Sequence, residues 1–87
     1  MTIAANITSP VTLKPIAGRI LAVNVMAAGT AAGSINDCNS IGAAAAANAY
    51  LPLPMTVGTI SIAAPIVFGT GITVSPGTGQ TITVEWE

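Results

Sequence analysis

Acid–base or nucleophilic chemistry needs titratable side chains, and this 87-residue chain carries few: Asp37, Glu85, Glu87, Lys14, Arg19 and Cys38, with no histidine. The commonest general base and metal ligand is therefore missing. Asp37 and Cys38 are adjacent, and on a strand adjacent side chains point to opposite faces, so the two do not act together. A thiol nucleophile wants a base or a cation beside it, and the neighbouring sequence supplies neither. Cys38 reads as a small buried hydrophobe, with an inter-subunit disulfide as the alternative. Glu85 and Glu87 share a strand face like a carboxylate pair, but they lack a third ligand and read as a solvated strand end. Gly69-Thr70-Gly71 and Gly77-Thr78-Gly79 lack the lysine and the following helix of a phosphate loop, and read as turns. Lys14 and Arg19 flank a further turn, as a solvated loop or with one of them in an inter-subunit salt bridge. Asn6-Ile7-Thr8 matches a glycosylation acceptor but carries no weight without a secretory signal, and the opening MTIAANITSP has neither a basic stretch nor a long apolar one. The expectation is a protein that is not an enzyme and takes no cofactor or metal.

Composition points the same way. Charged residues make up 6% of the chain and hydrophobic ones 52%, against about 25% charged in ordinary soluble domains. Mean hydropathy is +0.77, yet the apolar runs are cut by Asn24, Gly29-Thr30, Gly33-Ser34 and six prolines, short of the roughly 20 residues a spanning helix needs. A transmembrane barrel needs more strands than the chain can supply. Two basic residues cannot make a phosphate-tracking patch, which excludes nucleic acid as a partner. A small domain so poor in charge associates readily, so its surface is expected to be covered by copies of itself or by a larger partner.

The elements that must position these residues are strands. In Gly71–Glu87, Ile72 and Val74 alternate with Thr73. A Ser75–Gly79 break follows, and then Ile82, Val84 and Trp86 alternate with Thr81, Thr83 and Glu85. Period-two alternation about a Pro/Gly cluster reads as a β-hairpin with one buried face, and Trp86 as its anchor. Arg19–Met26 places Leu21, Val23 and Val25 on one face and Ile20, Ala22, Asn24 and Met26 on the other, the pattern of a central strand covered on both sides. Ile3–Leu13 is extended, Ser34–Cys38 is a short strand into a polar turn, and Val57–Ile62 and Ile66–Phe68 are further strands. Gly42–Tyr50, with a run of five alanines, is either a helical turn or a loop leading into a strand. The expected fold is all-β: one antiparallel β-sandwich or jelly-roll-like barrel of six to eight short strands over residues 1–87, with 1–13 a possible extended N-terminal arm.

Read end to end, the layout resembles a group of small structural proteins of tailed bacteriophages. The resemblance rests on Val11-Thr12-Leu13, the strand Arg19 to Val25 after Gly18, and Ser34-Ile35-Asn36-Asp37-Cys38-Asn39-Ser40. It closes with Gly71-Ile72-Thr73-Val74, a Pro/Gly turn and Gln80-Thr81-Ile82-Thr83-Val84. The sequence departs from that pattern at Asn36 and Cys38, where the group more often has Tyr and Gly. The resemblance implies a virion protein, most concretely a capsid decoration (cement) protein on the phage head, made in the host cytoplasm. It would form a homo-oligomer, with a trimer as the expected order, and bridge major capsid subunits. The alternatives are a tail or fibre-base component and a β-sandwich module that binds surface glycans. Thr2, Ile3, Ile7 and Val11 are the expected capsid or partner contacts, since an extended terminal segment can add a strand to a neighbour's sheet.

Overall fold

The computed structural model describes residues 2–60, 62 and 64–87. Among the described residues nine strands run in chain order: β1 Thr2–Ile7, β2 Val11–Lys14, β3 Gly18–Ala28, β4 Gly33–Asn36, β5 Ala49–Leu53, β6 Gly58–Ile60, β7 Ile66–Phe68, β8 Ile72–Ser75 and β9 Gln80–Trp86. They form two antiparallel sheets. One has the order β1-β9-β3-β6, with β7 pairing the other end of β3, and the second has the order β2-β8-β4-β5. Because β6 and β7 share one side of β3, nine strands fill eight positions. β1 pairs β9, β2 pairs β8, β3 pairs β6 and β7, and β4 pairs β5. These pairs are the rungs of one long antiparallel ribbon, and wrapping that ribbon around a core gives the observed order, which is that of a jelly roll. The chain is therefore an all-β sandwich, as its alternation and turn spacing predict.

Alternating apolar residues from both sheets meet in a single core. Ile20, Val23, Val25, Ile82 and Val84 face Ile35, Leu51, Leu53, Ile72 and Val74, with Phe68 among them. Each such side chain contributes about 1.5–3 kcal/mol when fully buried. Ile7 closes the core at the end of β1, and Ala4, Val11, Leu13 and Trp86 pack against its margin. The docking of Trp86 is partial, since its residue is half-buried.

Two expectations are corrected. First, β8 and β9 are not a hairpin. β8 lies between β2 and β4, and β9 lies in the other sheet between β1 and β3. Residues 76–79 form an arch from sheet to sheet, and residues 29–32 make a second arch from β3 to β4. The two arches stack, with the Thr30 N–H donating to the Thr78 carbonyl at 2.8 Å. Any Cβ on Gly77 would overlap the Ala31 carbonyl, and Gly29 holds φ +69° against the Thr78 carbonyl. Alternation specifies which side chains point inward. It does not specify which strand lies alongside, so arch and hairpin have the same pattern.

Second, β3 is central but covered on one face only. Its register steps from Ile20 opposite Trp86 to Ala22 opposite Glu85, so Leu21 is the extra residue of a bulge. A bulge reverses the side-chain parity, and Ile20 joins Val23 and Val25 in the core. Met26 sits at a second register shift and is exposed. The strand covered on both faces is β8, where Ile72, Thr73 and Val74 are all fully buried.

The alanine-rich stretch takes the helical alternative. It makes two 3-10 turns, Ile41–Ala43 and Ala46–Asn48, and leads directly into β5.

Candidate interaction surfaces

The residues expected to contact a partner divide between surface and core. Thr2 and Ile3 are exposed on β1, Ile3 by 59%. Ile7 is buried, and Val11, half-buried on β2, packs against the core. Residues 2–7 pair with β9 and residues 11–14 with β8, and the chain crosses from one sheet to the other at residues 8–10. β1 and β2 are thus edge strands of the protein's own two sheets. Trp86 sits opposite Thr2 on β1 and Ile20 on β3. Its Nε1 is buried and, among the described residues, has no hydrogen-bond partner.

The outer face of the β2-β8-β4-β5 sheet is polar but largely roofed over. Thr12 and Thr73 are hydrogen-bonded at 3.1 Å, and the Thr73 hydroxyl donates to the Cys38 carbonyl at 3.0 Å. Asn36 is buried beside them and uses its whole side chain. Its Oδ1 accepts from Ser34 at 2.7 Å, and its Nδ2 donates to the Ala45 carbonyl and to Asn48 Oδ1 at 2.9 and 2.8 Å. Asn48 also accepts from the Ala45 N–H and donates to the Ala43 carbonyl. Two asparagines thereby pin the alanine loop over β4 and β8. Between loop and sheet lies a depression of about 280 Å³, lined by Ser34, Asn36, Ala44, Ala45, Ala46, Ala49 and Ser75. The side chains of Ser34 and Asn36 are already engaged in holding the loop. Among the described residues, no charged group lines the depression.

At one end of the sandwich, Asp37 closes the β7–β8 connection. Its Oδ1 accepts from the N–H groups of Thr70 and Gly71 at 2.7 and 3.2 Å. Desolvation pushes the carboxyl up, but these two N–H groups, with the Tyr50 hydroxyl and the Gly69 N–H, outweigh it and hold the carboxyl below its ordinary value. The hydrogen bond to Asp37, and its negative charge, raise the pKa of Tyr50 in turn. The Tyr50 ring packs obliquely on Phe68, with centroids 5.2 Å apart. Cys38, the next residue, is buried and donates to the Ser40 carbonyl at 3.3 Å.

The outer face of the β1-β9-β3-β6 sheet is open and nearly without charge. One cross-strand row runs Ile3, Glu85, Ala22, and the next runs Thr83, Asn24, Thr59. Thr59 donates to Asn24 Oδ1 at 2.6 Å. At the sheet's end Arg19 is paired with Glu87 of the same chain, and their backbones extend the β3–β9 ladder at 2.8 and 3.0 Å. The exposed pair contributes little to stability. Among the described residues, no three of His, Cys, Asp and Glu gather as a metal site, and no helix is long and apolar enough to cross a membrane.

Sequence reasoning missed the polar residues that do most of the internal tying. Gln80 is fully buried at the start of β9. Its Oε1 accepts from the Gly77 N–H at 2.8 Å, and its Nε2 donates to the Leu53 and Pro54 carbonyls at 3.2 and 3.0 Å. Nothing about a lone glutamine after glycine marks that role. Asn48 carried a readable signal, being the one polar residue in an alanine run. No protein-family model matches the chain, and neither a curated protein nor a solved structure is significantly similar to it.

Proposed function

We propose that the protein is a structural component of a tailed-phage virion, a decoration protein that binds the outside of the head in many copies and reinforces the junctions between capsid subunits. The observation that carries this reading is a very small jelly roll whose outer surface is almost free of charge. It has five charged residues in all, and Arg19 and Glu87 among them neutralise each other. Jelly rolls recur in viral shells and in lectins, so the fold alone does not choose between them. A lectin-like groove needs exposed aromatic rings. Here Phe68 is buried, Trp86 is half-buried and Tyr50 alone stands well into solvent, which favours the structural role. The resemblance of the strand layout to small phage structural proteins, read from the sequence, is what points to a phage. Such a protein acts by adding buried, uncharged contact area across a junction, with no chemical step.

The test is to locate the protein in purified virions by electron microscopy and count copies by quantitative mass spectrometry. Hundreds of copies on the head support the reading. A few copies confined to the tail would replace decoration with a tail or fibre-base role. With so few ion pairs available, release from the head should change little between low and high salt, and ready dissociation in salt counts against uncharged contacts.

A further inference from the structure

The edges of the two sheets are unequal. An exposed edge strand carries unpaired N–H and C=O groups, and proteins guard such edges with proline, lysine, bulges or very short strands. β2 is bracketed by Pro10 and Pro15 and ends on Lys14, β5 contains Pro52 and is followed by Pro54, and β6 and β7 are three residues each, with Pro65 just ahead of β7. β1 has none of these over its first four residues. Thr2-Ile3-Ala4-Ala5 is free of charge and proline, stays in regular register with β9 as far as Ala4, and meets its bulge and the positive φ of Asn6 only beyond that point. Ile3, at its middle, is 59% exposed.

We propose that the free edge of β1 pairs antiparallel with β1 of a second copy of this chain, joining two β1-β9-β3-β6 sheets into one continuous sheet across a two-fold axis. A two-fold axis sets each residue against its own copy or a near neighbour, so a charged edge meets its own charge. β1 carries no charge, and a copy of itself is a partner it does not repel. The charged side chain across from Ile3, Glu85, lies one strand further in. With strands spaced about 4.8 Å apart, the two copies of Glu85 stand roughly 14 Å apart, beyond the screening length of about 8–10 Å. Backbone hydrogen bonds supply the attraction, and the Ile3 side chains flank the axis on one face. This pairing does not depend on the virion reading, and either can fail alone.

The experiment is sedimentation equilibrium of the purified chain across the micromolar range, on wild type, Ile3→Lys and Val67→Lys. Val67 is as exposed as Ile3, at 64%, but lies on β7. The wild type should sediment as a dimer of the 8.5 kDa chain. Ile3→Lys should weaken dimerisation by about tenfold or more, and Val67→Lys should leave it intact. Amide exchange over residues 2–5 should slow as concentration rises in wild type and stay fast in Ile3→Lys. Both substitutions are at exposed positions, and circular dichroism checks that each variant is folded. A wild-type monomer or trimer overturns the proposal. So does equal weakening by the two lysines, which means general apolar association, or a dimer whose β1 amides gain no protection.

Discussion

Gln80 and Asp37 are polar residues that hold connections together, one at each end of the sandwich. Replacing Gln80 with alanine strands the Gly77 N–H and the Leu53 and Pro54 carbonyls. Each group left unpaired away from water costs about 1–3 kcal/mol, and some will recover a water. Gln80→Ala should therefore lower unfolding free energy by about 2–4 kcal/mol in urea titrations; a loss below about 1 kcal/mol would mean the arches do not need this tie. The pH dependence at Asp37 follows from its lowered pKa. The folded carboxyl holds its charge to lower pH than the unfolded one, whose value is near 3.9. Its stabilising contribution is complete above about pH 4 and is lost as pH falls through the lower folded value. Asp37→Asn should be less stable than wild type at neutral pH, and the gap should narrow below about pH 4. A gap that stays constant with pH would show that the carboxylate charge is not what holds the Thr70 and Gly71 amides.

Among the elements, the two stacked arches decide the topology. They approach so closely that no side chain fits at Gly77, where an added Cβ would run into the Ala31 backbone. Backbone cannot retreat as a flexible side chain can, so overpacking here should cost about 3 kcal/mol or more. Gly77→Ala should then unfold at a much lower temperature than wild type. Gly42→Ala, which meets nothing within 4 Å, should leave the melting temperature within a few degrees. Equal melting of the two variants would mean the arches can separate without loss. The alternation in Ile72–Ser75 and Gln80–Trp86 made both strands and their inward residues legible. Their separation into different sheets was not legible, because it depends on residues 29–33 packing against residues 75–80.

At the scale of the whole molecule, two features combine: a closed apolar core and an exterior with few charges. The core is reached by wrapping one long ribbon, so almost all stabilising pairs are far apart in sequence, such as Thr2 with Trp86 and Val11 with Val74. Non-local pairing of this kind folds slowly. The unguarded β1 edge and the shortage of charge both favour association.

The sequence by itself determined the class of the fold. Alternation, turn residues and the lack of any long helical period leave only strands. It also determined most of the core, since inward positions follow from period two wherever the strand is regular. Tertiary structure alone decided the neighbours. The bulge at Leu21 turned Ile20 inward, the arch sent β8 and β9 to different sheets, and the segment after β4 folded back so that Cys38 meets Thr73 and the alanine loop meets Asn36. Each of these outcomes depends on contacts between segments distant in the chain, and local propensity carries no record of such contacts.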